Sequence, residues 1–386
     1  MVPLKYNLRS LRARKVGSLM TVLGVGMVVW ASIFAFGLYA GLEHTLTVSV
    51  NPLDVIVLRQ GSTAETASAV SESAARDILA LPGIATDAEG RPLAAPELVA
   101  IGYLPRRDAD GNTNVTVRGV VPASAALRDG LTIVEGRNFT PGVREAIVSR
   151  ALSERFKGLK LGESFKVQDA MFQVVGYFQA HGAAAESEIW TDQRVLGQVT
   201  NRTGSVSAVQ LRAASADDRQ RLIQRITADE QIGLKAITEK EYFAEQAEQS
   251  QFLRIIGQII AFFLTIGAMF AVANTMYGAV ASRAREIGTL RALGFGRASV
   301  LASFLFESLV LCLLGAIVGC LGALALGDIR TGTMGGAFTE VVFAFNFGPR
   351  VLLSGALLAI AMGLLGGLAP AVRAVRMRVV NALREV

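Results

Sequence analysis

The stretch SRAREIGTLRALGFGRASV, Ser282 to Val300, sets Arg283, Arg285, Arg291 and Arg297 against a single acid, Glu286, between two long apolar runs. Ile287, Leu290 and Leu293 recur at i, i+3 and i+6, which on a helix makes an apolar stripe with Arg285, Glu286 and Arg291 around it. A short amphipathic helix of this kind can seat in a partner's groove or rest on lipid headgroups. Residues for covalent chemistry are scarce elsewhere. There is no G-x-x-x-x-G-K-[ST] to cradle phosphates, no G-x-S-x-G, no H-E-x-x-H and no Cys-x-x-Cys, and His44 and His181 lack ligand-spaced companions. DADGN, Asp108 to Asn112, has a calcium-loop flavour but lacks the spaced bidentate glutamate, so it reads as a turn. The chain is therefore expected to hold no metal or cofactor and not to be an enzyme.

The elements that position Ser282 to Val300 are set by hydropathy. Of 386 residues, 52% are hydrophobic and 18% charged, too apolar for an average soluble chain. Four runs can cross about 30 Å of hydrocarbon, which takes roughly 20 helical residues: Gly17 to Leu42, Ile255 to Ser282, Ala298 to Gly327 and Val351 to Val372. Only the third carries a charge, Glu307, and the second carries Asn274. An intramembrane carboxylate is costly and pairs with protein or water; near the run's edge, structural pairing is favoured over a proton relay. The first run, with 26 uncharged residues, exceeds the roughly 7 to 15 of a signal peptide and is expected to remain as an anchor. Gly37/Gly41, Gly315/Gly319 and Gly363/Gly367 each make GxxxG, suited to close helix packing or a dimer contact. Both cysteines, Cys312 and Cys320, lie in the third run, which leaves none for a disulfide in the polar region.

The net charge of +6 is unevenly placed. Lys5, Arg9, Arg12, Arg14 and Lys15 precede the first run, and Arg373, Arg376, Arg378 and Arg384 follow the last. Cations gather on the cytoplasmic side, so both termini and Ser282 to Arg297 are expected in the cytoplasm of a bacterial inner membrane. This placement suits lipid better than nucleic acid.

The fold expected is a membrane α-helical protein of four transmembrane helices, with a large α/β extracytoplasmic domain inserted between helices 1 and 2. Its segments are a cytoplasmic amphipathic helix (1–16), TM1 (17–42), the outer domain (43–249), TM2 (250–281) with a stalk from near 239, a cytoplasmic helix (282–297), TM3 (298–327), a short external loop (328–349), TM4 (350–372) and a tail (373–386). In the outer domain DVIVL, NVTVRGVV, EAIVS, FQVVGYF and VSAVQLR read as strands. SESAARDILALPG and SADDRQRLIQRITAD read as helices, the latter capped by Ser215. Two subdomains are expected, with a strand-rich middle over about 113–205. Thr238 with Glu241 makes a capping box, and no proline follows before Ser282, which predicts a helical rod of about 66 Å at 1.5 Å per residue.

SRAREIGTLRALGFGRASVLASFLFESLVLCLLGAIVGCLGALAL resembles the region between the second and third membrane helices of MacB/FtsX-type ABC transporter permeases. LAPAVRAVRMRVVNALREV resembles that family's closing P-A-x-R-A…AL-R pattern at Pro370, Ala371, Arg373, Ala374, Ala382, Leu383 and Arg384, with Val379 and Val380 where a proline is usual. LTIVEGRNFT, EAIVSRALSERF and FQVVGYFQ are similar to its outer domain, more loosely. The resemblance implies a permease subunit that couples ATP hydrolysis elsewhere to movement of its outer domain (mechanotransmission). It would export or extract a periplasmic or outer-leaflet substrate: a peptide, drug, lipid or lipoprotein. Arg285, Glu286, Ile287, Gly288, Leu290, Arg291, Leu293 and Gly294 would form the coupling helix that docks a separate ABC ATPase, with ATP and Mg on that partner. A second permease copy, as homodimer or paralogue heterodimer, and a periplasmic adaptor are further expected partners. The alternatives are a membrane receptor or scaffold, or an FtsX-like regulator of cell-wall hydrolases without cargo.

Overall fold

The structure, a computed structural model, describes residues 15–108, 110–229, 233–249, 251–327, 330–334 and 339–377. In chain order its helices are α1 (Lys15–Thr47), α2 (Glu72–Leu79), α3 (Pro122–Leu127), α4 (Arg150–Arg155), α5 (Gln193–Val199), α6 (Ala216–Thr227), α7 (Glu239–Gln249), α8 (Gln251–Ser282), α9 (Ala284–Ala292), α10 (Arg297–Leu324) and α11 (Pro349–Arg376). The amphipathic helix expected over 1–16 falls almost wholly outside the described residues, as does the tail beyond Met377, Val379 to Arg384 included. The chain divides into a helical unit (Met1–Gly41, Phe252–Ile329, Phe345–Val386) and an outer, mixed unit (Leu42–Gln251, Arg330–Ala344).

In the helical unit four helices are long and apolar enough to cross a membrane: Lys15–Thr47, Ile255–Ser282, Arg297–Leu324 and Pro349–Arg376. They share one core, in which Val25, Val29 and Ile33 of α1, Val272 and Met276 of α8, Phe304 and Leu311 of α10, and Ala359 and Met362 of α11 pack together. Lipid is as apolar as these side chains, so association rests on close packing and hydrogen bonds. Small residues provide both. A Cβ on Gly319 would meet the Gly26 carbonyl at 2.6 Å, and one on Gly315 would meet the Val25 side chain at 2.8 Å, so that pair seats α10 on α1. Gly363 abuts the Leu309 backbone of α10, and Gly367 lies against Ser308. The Ser308 hydroxyl donates to the Gly363 carbonyl at 2.8 Å, and Thr21 donates to Thr275 at 2.9 Å between α1 and α8. Gly37 faces the Phe347 ring, and Gly41 is buried. The motif pairs on α10 and α11 thus join helices of one chain. Pro370 sits inside α11, which continues to Arg376.

The outer unit is built on strands β1 (Asp54–Arg59), β2 (Val70–Ser71), β3 (Ala94–Pro105), β4 (Asn112–Val120), β5 (Thr132–Gly136), β6 (Glu145–Ser149), β7 (Ser164–Val167), β8 (Ala170–Gln179), β9 (Glu188–Asp192), β10 (Ser205–Val206), β11 (Ala208–Arg212), β12 (Leu234–Thr238), β13 (Arg330–Met334) and β14 (Glu340–Ala344). Ten form one sheet in the order β12-β1-β11-β3-β4-β9-β6-β8-β5, with β7 also on β8. The pairing is antiparallel except for β4 with β9 and β6 with β8. Two cores lie along it. The flanking segments give Val55, Val57, Ile78, Val209, Leu211 and Leu222; the middle gives Leu98, Val117, Leu152, Phe156, Phe172 and Ile189. A single sheet therefore runs through both regions that the sequence separates into subdomains. Ser215 caps α6, accepting from the Asp218 N–H at 3.1 Å, and Thr238 with Glu241 caps α7 reciprocally at 3.1 and 3.0 Å.

One segment differs from the sequence reading. Residues 328–349, expected as a plain loop, contain the antiparallel hairpin β13–β14, which belongs to the outer unit. The rod expected over 239–282 is described as α7 and α8, with Ser250 between them outside the described residues; α8 runs through Gly257 as one helix.

Candidate functional site

In the helical unit, α9 is held to its neighbours by side chains at both ends. At its start the Arg283 guanidinium donates to Glu307 of α10 at 3.0 Å and to Glu286 at 3.0 Å, and lies 5.5 Å over the Phe304 ring. Glu307 is 3% exposed, so the carboxylate in the third apolar run has a cation bound to it. At its end Arg291 donates to the Val375 and Met377 carbonyls at 3.0 and 2.6 Å. These close α11, where the helix dipole favours a cation. Ile287 is 2% exposed in the shared core.

This placement sorts the expected docking residues. Arg285, Glu286, Leu293 and Gly294 are exposed, Leu293 at 72%. Leu290 and Arg291 are half-buried, while Ile287 and Gly288 are buried. Ile287 and Gly288 are thus not on the free face. A stripe at i, i+3, i+6 drifts around a helix of 3.6 residues per turn, so it begins inside the bundle at Ile287 and ends outside at Leu293. Asn274 is exposed on α8, on the same face as exposed Gly267, Ala271 and Gly278.

The outer unit holds a buried ion cluster. Arg118 of β4, 5% exposed, donates to both Glu65 oxygens at 2.8 Å, to Glu97 at 2.8 Å and to Glu188 at 2.7 and 2.6 Å. Arg128 donates twice to Glu97 at 2.7 Å and stacks 4.8 Å over Trp190. Burial would raise the Glu97 carboxyl, but Arg128 and Arg118 outweigh it and bring it down to about 2. Burial likewise works against the Arg118 cation, and Glu188 and Glu65 overcome it. Removing one partner from such a group leaves an uncompensated buried charge, at a cost of about 3–5 kcal/mol.

Glu239, the first residue of α7, lines a cavity beside this cluster with Leu42, Glu65, Arg118, Arg128 and Tyr242. Burial, then the nearby Asp54 charge, with further repulsion from Glu65 and Glu97, push its carboxyl up to about 7 against the pull of Arg128. Burial also raises the Tyr242 hydroxyl. A second cluster fixes the hairpin. Glu340 of β14, 3% exposed, accepts from Arg106 at 3.1 Å and from Arg155 at 2.9 Å. Ser187 donates to the Val342 carbonyl at 3.2 Å and accepts from the Val342 N–H at 2.8 Å. Among the described residues no group of three or more His, Cys, Asp or Glu could hold a metal ion.

The sequence reading missed the Arg118 cluster, Glu239, Glu340 and the anchoring role of Arg283. One signal was present: an arginine inside the apolar strand NVTVRGVV has to find carboxylates once that strand is buried.

Residues 18–229 match the MacB-like periplasmic core domain, and residues 258–379 match the FtsX-like permease C-terminal domain. The chain is 26% identical over 411 residues to the uncharacterized ABC transporter permease YknZ of Bacillus subtilis, covering 99% of this chain and 98% of that one. It is 25% identical over 415 residues to the macrolide export ATP-binding/permease protein MacB of Bdellovibrio bacteriovorus, covering 99% of this chain and 61% of that one. It thus spans about three fifths of that MacB relative's length. The extracellular domain of YknZ from Gram-positive bacteria superposes with a TM-score of 0.36 at 17% identity, over 48% of this chain and 99% of that one.

Proposed function

The chain belongs to the family of MacB/FtsX-type ABC transporter permeases, multi-pass membrane proteins, and on that premise we propose that it works as the mechanical subunit of an exporter. A separate ATPase, holding ATP and Mg, docks on α9 from the cytoplasm, where both termini also lie, and this chain contributes no catalytic group of its own. A second permease copy completes the assembly. The substrate is taken from the outer side of the inner membrane: a peptide, drug, lipid or lipoprotein. Export is favoured by the names of the MacB and PvdT relatives, the latter a pyoverdine export protein of Pseudomonas fluorescens 27% identical over 273 residues, 65% of this chain and 40% of that one.

The observation that carries this reading is the way α9 is held. Arg285, Glu286 and Leu293 are exposed, whereas Arg283, Ile287 and Arg291 fasten the helix to α10 and α11. Hydrogen bonds to charged groups contribute about 1.5–3 kcal/mol each. A push on the free face is therefore passed to the membrane helices before the short helix peels away. Buried polar groups in the described membrane segments are few and satisfied within the bundle, as at Ser308, Thr21 and Glu307, which favours force transmission over a hydrophilic conduit.

The test is affinity capture of the tagged chain from mild detergent, followed by ATPase assay of what it brings down. Glu286→Ala combined with Leu293→Asp should reduce recovery of the ATPase at least tenfold and remove its stimulation by the permease. Unchanged recovery and stimulation would overturn the docking assignment.

A further inference from the structure

The cavity beside Glu239 lies entirely within the outer unit and encloses about 120 Å³, comparable to a cavity of about 150 Å³ that takes up benzene. One wall is apolar, from Leu42, Leu46, Val99, Ala183 and Phe243. The other is charged, and its charges do not balance. The two guanidinium groups, Arg118 and Arg128, are fully engaged by Glu65, Glu97 and Glu188. Asp54 and Asp129 share Arg212, and Glu340 is held by Arg106 and Arg155. Glu239 is left over: among the described residues no cation lies within ion-pair distance of its carboxyl and no hydrogen bond reaches it. Tyr242 and Phe243, rings 5.4 Å apart and edge to face, stand beside it on the same helix turn.

We propose that this cavity is a binding site for an organic ammonium group, with Glu239 as its counter-ion and the Tyr242 and Phe243 rings beside it. The volume fits an amine-bearing arm of a ligand, with the rest leaving through the cavity's open side. Carboxylate and aromatic faces together recognise ammonium. A metal ion is a poorer fit, because the apolar wall offers no oxygen ligands. The ammonium displaces the proton that Glu239 otherwise carries, so binding strengthens with pH. Around Glu239 the charged groups are Asp54 of β1, Glu65, Glu97 of β3, Arg118 of β4, Arg128, Asp129, Glu188 of β9 and Glu340 of β14, with the Tyr242 hydroxyl on its own helix; the Glu239 carboxyl itself is pushed up to about 7. Its ionised fraction rises from about one tenth at pH 6 to about nine tenths at pH 8, which sets about a tenfold gain in affinity.

Occupancy of the site is independent of ATPase docking and is tested on the purified full chain. Dicyclohexylcarbodiimide modifies protonated carboxyls in apolar surroundings, and mass spectrometry of the peptide bearing Glu239 reads the adduct. Benzylammonium should protect Glu239 and benzyl alcohol should not, with half-protection needing about tenfold less benzylammonium at pH 8 than at pH 6. Benzylammonium should also raise the melting temperature of the wild type and not that of Glu239→Gln. Equal protection by amine and alcohol, no protection by either, or an equal melting shift in Glu239→Gln would each overturn the proposal.

Discussion

Replacing Glu239 by Gln should stabilise the outer unit, and the gain should depend on pH. The carboxyl titrates near 4.5 when free and near 7 in the folded chain, because burial and then the charge of Asp54 oppose its ionisation. Between those values the folded state keeps a proton that the unfolded state has lost, so stability falls as pH rises from about 4.5 through 7 and the full cost applies above. A separation of that size amounts to about 3 kcal/mol. Below about 4.5 both states are protonated and the cost vanishes. Glu97 acts with the opposite sign: its folded carboxyl titrates at about 2, so its contribution is complete above about 4.5 and is lost as pH falls toward 2. Together the two place maximal stability near pH 5. Glutamine keeps the size of Glu239 and cannot ionise. At pH 8 Glu239→Gln should therefore melt about 6–12 °C higher than wild type, at about 2–4 °C per kcal/mol for a unit of this size, with little difference at pH 4.5. Trp190, 1% exposed beside Arg128, is the reporter. The chain has two tryptophans, so a Trp30→Phe background isolates it in the full chain in detergent. An unchanged or lowered melting temperature at pH 8 would refute the view that Glu239 is a strained carboxylate.

Glu307→Gln should destabilise the helical unit by about 1.5–3 kcal/mol, the worth of a hydrogen bond to a charged group, because Arg283 loses its buried carboxylate and keeps the exposed Glu286. Adding Arg283→Met should recover part of that loss, which a double-mutant cycle of thermal melts measures. Glu340→Ala should cost the outer unit about 3–5 kcal/mol, because Arg106 and Arg155 both lose their shared carboxylate; hydrogen exchange should show β14 losing protection before the ten-stranded sheet does. Asn274→Leu should weaken self-association in detergent about tenfold, in line with about 1–2 kcal/mol for a polar interhelical contact, as read by cross-linking across α8.

The membrane helices were legible because about 20 apolar residues in a row admit few other arrangements, and the cap residues of α6 and α7 because their chemistry is local. The glycine motifs were legible as packing sites; their partners were not. Gly319 meets Gly26, which belongs to no motif, on a helix nearly 300 residues away in sequence. The same limit hid the ion clusters. Arg118, Glu65, Glu97 and Glu188 come from four separate segments, and nothing in their local spacing shows that sheet order brings them together. The position of Glu307 near the edge of its run points to a structural partner, but nothing in the local spacing singles out Arg283 from the other cytoplasmic cations as that partner. The pair exists because the chain turns between Ser282 and Ala284, laying α9 against the start of α10.

The hairpin changes how force would reach the outer unit. A single stiff link through TM2 was the expectation from sequence, yet the chain passes between the two units at 41–42, 251–252, 329–330 and 344–345. The last two crossings are the ends of β13–β14, which follow α10 and precede α11, the helices that Arg283 and Arg291 tie to α9. On the proposed mechanism a push on α9 then has two routes outward: along α8 into α7, and through α10 and α11 into a hairpin locked to the outer sheet by Glu340, Thr339 and Val342. Parallel routes share a load, so loss of one should reduce coupling without abolishing it. Two glycines inserted after Gln249 should leave part of the substrate-linked ATPase stimulation, Glu340→Ala should leave part, and the combination should leave almost none. Complete loss from the glycine insertion alone would mean that the hairpin carries no force and that TM2 is the only lever.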